Sequence, residues 1–284
     1  MSGLRYVYAV CRPFGTPLSA QLTGVAGVPP KQLTHHGLVA VVGHVPEEDF
    51  AERPLRAHLE DLDWLSATAR AHQNVIDALT VVTSPLPLRL ATVFLDDSGV
   101  RTMMEQREDA FLRTLDRLDG RVEWGVKVYA ESPESPESPE SPDSPESSES
   151  SANTASAAGA ESSENPDSRA APSPAKPLSG RDYLRQRRGQ HRAHEEKWEQ
   201  AEEFSRRLHE TLSGCAEETR IHAPQNAALS HASGRNVLNA AYLVPRSESE
   251  AFVELVDRTK DDSPGLRVEL TGPWAAYSFS GEES

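Results

Sequence analysis

Two histidine–glutamate pairs are the closest approach to a catalytic metal motif in this chain. His194-Glu195 and His209-Glu210 begin like the helical zinc motif His-Glu-x-x-His, which places two imidazoles on one helix face. Trp198 and Ser213 occupy the second histidine positions, so neither pair can bind zinc in that way. His191 and His194 are disfavoured as metal ligands because neighbouring arginines repel a dication. The sequence therefore predicts no metal site.

The other reactive side chains lack the neighbours that catalysis requires. His72 falls on the apolar face of a predicted helix, where we expect a buried histidine with a hydrogen-bond partner rather than a catalytic base. Cys11 and Cys215 have no adjacent base, and we expect both thiols to be inert. The sequence contains no phosphate-binding glycine motif and no nucleophile elbow. No catalytic residue and no cofactor is predicted, and an enzyme of unknown type remains the alternative.

Hydrophobic periodicity in residues 1–130 predicts an N-terminal α+β domain. The predicted strands are 5–12, 37–45, 88–95 and 121–130, and the last of these is expected to close the domain. Apolar residues at steps of three and four predict a helix over 54–82 and a second helix over 100–118. Residues 15–30 are rich in glycine and proline, which is typical of a loop.

Residues 178–284 predict a second α+β domain. A long helix is expected over 180–215 and a shorter one over 247–260, with Ser247 as its N-cap. The predicted strands are 219–222, 236–244, 266–271 and 276–279, and the last two flank a turn at Gly272-Pro273. A helix on a strand, followed by strand, helix and strand, indicates a ferredoxin-like variant.

The stretch between these parts, residues 131–177, has a different composition. It opens with Ser-Pro-Glu triplets and holds ten acidic and two basic residues, so it carries much of the net charge of −15. Few large apolar side chains occur in it, and burial cannot offset the entropy lost on ordering. We expect a disordered acidic linker that joins two folded α+β domains.

The charge pattern argues against nucleic-acid and membrane partners. Five arginines lie between Arg181 and Arg192, but five glutamates follow over residues 195–203, and on one helix such charges pair with each other. We therefore expect a solvated helix rather than a phosphate-binding surface. The sequence has no run of roughly 18–20 apolar residues that could cross a membrane. It begins without a secretion signal, so a cytoplasmic protein is expected.

Four groups of local patterns resemble the GvpL/GvpF gas vesicle family. They are Tyr6–Val10 with Gly37–Val42, then Trp64-Leu65 with Ala71-His72 and Val75-Ile76, then Leu86–Phe94 with Gly120–Val128, and finally Asn239–Val244 with Gly272–Phe279. Each pattern alone is weak, but all four occur in order and span both predicted domains. The family usually shows Phe-Gly where this chain has Leu90-Ala91.

The resemblance implies two α+β domains, the second a modified ferredoxin-like fold, and a non-enzymatic role in building gas vesicles. It implies contact with the small hydrophobic shell protein and with other accessory proteins, and it brings no catalytic residue or cofactor. Within that role we hypothesise that residues 272–279 form an exposed strand edge for partner binding, with Trp274, Tyr277 and Phe279 as contacts. A regulatory adaptor that works through the Ser-Pro-rich linker is the further alternative.

Overall fold

A computed structural model describes residues 3–19, 21–130, 180–224, 234–260 and 265–281. Residues 1–131 and 198–284 belong to one compact unit. Of the second unit, residues 132–197, only the helical stretch 180–197 is described. The predicted disordered linker, residues 131–177, lies outside the described part of the chain and stays a prediction.

The first sheet is antiparallel and is built around two strongly apolar strands. In chain order its strands are β1 (Leu4–Cys11), β2 (Lys31–His35), β3 (Leu38–Val45), β4 (Leu86–Pro87) and β5 (Val93–Phe94). The strand order is β2-β3-β1-β4, and β5 also pairs with β1. Nearly every side chain of β1 and β3 is buried, because helices or loops cover both faces of the sheet. The nearly continuous apolar run of residues 37–45 is typical of a central strand, and β3 does lie inside the sheet, between β2 and β1.

The described residues up to 118 contain five α-helices. They are α1 (Glu47–Phe50), α2 (Glu52–His58), α3 (Leu62–Val82), α4 (Asp97–Gln106) and α5 (Glu108–Leu118). The single helix predicted over 54–82 is wrong, because Asp61 caps α3 by accepting hydrogen bonds from the backbone N–H groups of Asp63 and Trp64. The helix predicted over 100–118 is likewise divided, at the non-helical residue Arg107.

The second sheet contains β6 (Arg121–Ala130), β7 (Glu218–Ile221), β8 (Arg235–Pro245) and β9 (Leu266–Trp274). The helix α6 (Gly180–Ser213) connects β6 to β7 in the chain, and α7 (Ser249–Thr259) connects β8 to β9. The strand order is β7-β8-β6-β9, and every pair is antiparallel. The element order β-α-β-β-α-β is that of a ferredoxin-like unit.

The prediction that residues 121–130 close the N-terminal domain is wrong, because β6 belongs to the second sheet. It pairs along its whole length with β8, from Arg121 opposite Pro245 to Ala130 opposite Arg235, and on its other side with β9. The ferredoxin-like unit therefore takes its first strand from the N-terminal side of residues 131–177. The two sheets share one pattern, because in each the first strand lies between the third and the fourth.

Three shorter predictions also differ from the structure. The strand predicted over 88–95 is reduced to the two-residue strand β5, whereas β4 precedes that range, and between β4 and β5 Ala91 adopts a left-handed backbone with φ +61°. Ser247 does not cap a helix but lies inside a 3-10 turn, Arg246–Glu248, that precedes α7. The strand β2 was not predicted, because three of its five side chains are exposed and give no apolar pattern.

Candidate interaction surface

The last residues of the described chain run from a sheet edge into the core. Trp274 ends β9, and its side chain is 40 % exposed. In the described part of the chain β9 pairs only with β6, so the opposite side of β9 is an open edge of the sheet. An open edge presents unpaired backbone N–H and C=O groups, which another chain can bind. Trp274, which the sequence suggested as a partner contact, therefore lies at an edge strand, and its role in binding stays a prediction.

Tyr277 and Phe279 have different surroundings from Trp274. Residues Tyr277–Phe279 form a 3-10 turn, so the strand predicted over 276–279 is wrong. Phe279 is fully buried in the core beneath β1, β3, α4 and α5. The Tyr277 ring lies 6.3 Å from the His72 ring, and burial raises the pKa of its hydroxyl. The exposed edge that we hypothesised for residues 272–279 therefore stops at Trp274.

A buried carboxylate holds this turn on the second sheet. Glu123 in β6 is only 8 % exposed, and it accepts hydrogen bonds from the hydroxyl and the backbone N–H of Ser278 at 2.6 and 2.8 Å. The His222 Nε2 atom lies 3.1 Å from the same hydroxyl. Burial raises the pKa of Glu123, while the two hydrogen bonds from Ser278 and the charges of His222 and Arg220 oppose that rise.

Arg117 adds a second attachment for the same segment. Its guanidinium donates to Glu218 in β7 at 2.8 Å and to the backbone carbonyl of Phe279 at 2.7 Å. One side chain of α5 thus ties the C-terminal turn to the β7 edge. Ala275 packs in one hydrophobic core cluster and Phe279 in another, so residues 274–279, which we call the C-terminal strap, link the two clusters.

His72 lies in a buried aromatic cluster beneath the strap. Its Nδ1 atom is 2.9 Å from the Tyr6 hydroxyl, and this hydroxyl also accepts a hydrogen bond from the Ala91 backbone N–H at 3.1 Å. The prediction of a buried histidine with a hydrogen-bond partner is confirmed. Burial lowers the pKa of His72 to about 4 and raises the pKa of Tyr6. The neutral imidazole therefore acts as a packing and hydrogen-bonding group at neutral pH.

The remaining reactive groups are dispersed over the described residues. Cys11 is fully buried, which raises the pKa of its thiol to about 12, and Cys215 is exposed; neither forms a disulfide. Among the described residues, no three His, Cys, Asp or Glu side chains are placed to bind one metal ion. No helix in this part of the chain is long and apolar enough to span a membrane.

The amino-acid sequence matches one protein family along nearly its whole length. The family model described as gas vesicle synthesis protein GvpL/GvpF matches residues 4–281. The chain belongs to the GvpL/GvpF family. It is 52% identical to gas vesicle protein L of Streptomyces sp. (strain CB03234), over 98% of this chain and 93% of that protein. It is 24% identical to gas vesicle protein F of the same strain, over 96% of this chain and 98% of that protein.

The fold of this GvpL/GvpF protein is also similar to that of two crystal structures. It matches GvpF from Anabaena sp. PCC7120 with a TM-score of 0.63 and 17% identity, covering 100% of this chain and 98% of that one. It matches GvpF from Microcystis aeruginosa with a TM-score of 0.60 and 15% identity, covering 99% and 100%. The resemblance predicted from the four groups of local patterns is confirmed, as is a fold of mixed helices and sheets.

Glu123 is the residue of this GvpL/GvpF protein that sequence reasoning missed. In β6 the side chains of Val122, Trp124, Val126 and Val128 alternate with Glu123, Gly125 and Lys127, which is typical of a strand with one solvated face. The structure covers part of that second face with the C-terminal strap, so Glu123 is buried there. Its only sequence signal is a carboxylate between Val122 and Trp124.

Proposed function

We propose that this chain acts in gas vesicle assembly as a non-enzymatic protein that binds the small hydrophobic shell protein and other accessory proteins. Support comes from the family match over residues 4–281 and from the 52% identity to a gas vesicle protein L. We infer from the same relationship that it works at the gas vesicle. We place the binding site at the open edge of β9, because this edge ends in the half-exposed Trp274.

The open edge of β9 is suited to binding a shell subunit with exposed apolar surface. A shell subunit that builds a water-repelling wall exposes apolar surface before it polymerises, and such surface aggregates in water. An edge strand can bind an extended segment of that subunit through backbone hydrogen bonds. A tryptophan beside the edge supplies an apolar contact, and tryptophan is among the residues that contribute most to binding energy at interfaces. Trp274 and the β9 backbone therefore form the proposed first contact for the shell subunit.

A pull-down followed by affinity measurement tests this proposal. The full chain and its Trp274→Ala variant are compared for binding to the shell protein fused to a soluble carrier. The matched control is Ile221→Ala, which removes an apolar side chain 67% exposed at the opposite edge of the same sheet. We expect Trp274→Ala to weaken binding at least tenfold and Ile221→Ala to change it less than twofold. Equal binding by wild type and Trp274→Ala would contradict the proposed edge, and no binding by wild type to any vesicle protein would contradict the function.

A further inference from the structure

A second surface lies away from β9, in a groove of about 440 Å³. It lies between the β4–β5 segment, the helices α4 and α5, and the last described residues, Ser280 and Gly281. Apolar side chains contribute much of its wall, chiefly Leu86, Leu88, Phe94, Met103 and Phe111. Polar groups, including Arg89, Arg107 and Thr114, form the rest of the wall, and a volume of this size is within the range of protein binding sites. We call this surface the Arg89–Arg107 groove, after the two basic residues that line it.

The charge of the groove is opposite to that of the protein. The whole chain has a net charge of −15, yet Arg89 and Arg107 line the groove and no aspartate or glutamate does so among the described residues. Arg107 packs over the Phe111 ring, with its guanidinium carbon 4.9 Å from the ring centroid. This contact holds one cation beside the apolar wall.

Neither arginine is neutralised by a carboxylate within the described ranges. Arg5 and Arg117, by contrast, form ion pairs with Asp97 and Glu218. A guanidinium that lines a groove without a carboxylate partner offers strong directional donors to an incoming anion. The groove therefore combines two cationic groups with apolar side chains in one mixed wall.

We propose that the Arg89–Arg107 groove binds a segment of a partner protein in which an aspartate or glutamate lies among apolar side chains. The partner carboxylate accepts hydrogen bonds from the two guanidinium groups, and the neighbouring apolar side chains pack on Leu88, Met103 and Phe111. This proposal rests on the proposed function, because it identifies a second contact for a vesicle protein. Charge complementarity selects an acidic amphipathic segment over a basic one.

Charge reversal tests the groove. The full chain carrying Arg89→Glu and Arg107→Glu is compared with a control carrying Arg101→Glu and Arg113→Glu, which alters two exposed arginines of α4 and α5 outside the groove. The probe is the shell protein on a soluble carrier, and the measurement is its dissociation constant. We expect at least tenfold weaker binding for the groove variant and less than a threefold change for the control. Circular dichroism establishes that both variants are folded.

A reciprocal experiment keeps the result interpretable if charge reversal disturbs the fold. Acidic residues of the shell protein are replaced by lysine one at a time, and each variant is offered to both forms of this chain. We expect one lysine variant to bind the Arg89→Glu, Arg107→Glu chain more tightly than it binds wild type. If no lysine variant does so, and charge reversal leaves binding of the unmodified probe unchanged, the groove proposal is overturned.

The acidic residues that follow Gly281 in this chain are a rival occupant of the groove. Glu282 and Glu283 are neutralised together by substitution with glutamine in the full chain. If they occupy the groove in place of a partner, neither this neutralisation nor reversal of Arg89 and Arg107 changes shell-protein binding, which would refute a partner site. If the groove proposal is wrong but the proposed function is right, wild type still binds the shell-protein probe. If the proposed function is wrong, wild type does not bind the probe.

Discussion

Ser278 donates two hydrogen bonds to the buried carboxylate of Glu123, from its hydroxyl at 2.6 Å and from its backbone N–H at 2.8 Å. These bonds join the C-terminal turn to β6, the strand that precedes residues 131–177. A carboxylate that is 8 % exposed has little water to replace a lost donor. The pair therefore couples the last described residues to the middle of the second sheet.

Removal of one donor should destabilise the fold. We expect Ser278→Ala to lower the free energy of unfolding by about 1–3 kcal/mol, because the buried carboxylate loses a hydroxyl donor. Urea unfolding followed by tryptophan fluorescence measures this change. Ser66→Ala, on the exposed surface of α3, is the control and should change stability by less than about 0.5 kcal/mol. A neutral Ser278→Ala variant would show that the contact contributes nothing to folding.

The buried His72 should make the protein sensitive to acid. Its folded pKa of about 4 is below the ordinary value of 6.5, so the unfolded chain binds the proton more readily. The stability from this residue is complete above pH 6.5 and is lost as pH falls towards 4. We expect the stability advantage of wild type over His72→Gln to shrink by roughly 3 kcal/mol between pH 7 and pH 4. Urea unfolding across that range measures it.

A surface histidine serves as the control for this experiment. His191→Gln, which removes an exposed imidazole from α6, is measured in parallel over the same pH range. Glu123 has a raised pKa and contributes to the pH dependence with the opposite sign, but it is present in all three proteins. An advantage over His72→Gln that stays constant down to pH 4 would be inconsistent with a buried neutral imidazole.

The two aromatic residues at opposite ends of the strap should separate stability from binding. Phe279→Ala removes a fully buried ring, and we expect a loss of about 3–5 kcal/mol in the free energy of unfolding. Trp274→Ala removes a half-exposed ring and should cost less than about 1.5 kcal/mol, while shell-protein binding falls. Equilibrium unfolding and the binding measurement are made on the same preparations. A larger stability loss for Trp274→Ala than for Phe279→Ala would contradict the assignment of Phe279 to the core and of Trp274 to the binding edge.

Ala91 offers a stabilising substitution. Its φ of +61° is in the left-handed region, where an L side chain is strained and glycine is not. We expect Ala91→Gly to raise the free energy of unfolding by about 0.5–1 kcal/mol, as measured by thermal and urea unfolding. Ala57→Gly in α2 is the matched control, and it should lower stability by about the same amount because its backbone is helical. If Ala91→Gly lowers the free energy of unfolding, the backbone at residue 91 is not strained.

Local sequence patterns predicted those helices and strands whose own residues show which side chains are buried. The strands β1 and β3 and the buried positions of His72, Ile76 and Leu79 in α3 were placed correctly, because each segment alone specifies most of its buried side chains. Leu62 has the same periodic spacing but is 75% exposed at the first position of α3. The division of α2 from α3 depends on the cap formed by Asp61. Such a cap interrupts a helix without disturbing the apolar pattern around it.

Contacts between distant segments could not be predicted from the same patterns. The alternation of β6 indicates a strand but cannot say that its partners are β8 and β9, which follow more than a hundred residues later. The same limit applies to Phe279, since apolar residues at the end of β9 suit either a strand or a turn whose side chains enter another core. Glu123 was missed because its partner Ser278 is 155 residues away.

Gas vesicle formation in cells tests the role of this chain most directly. A host that carries the other vesicle genes is examined by electron microscopy and by cell buoyancy with the chain deleted, with wild type restored, and with Trp274→Ala restored. We predict that deletion abolishes vesicles, that wild type restores them, and that Trp274→Ala restores far fewer. Vesicles of normal number and shape in the deleted strain would contradict a role in assembly.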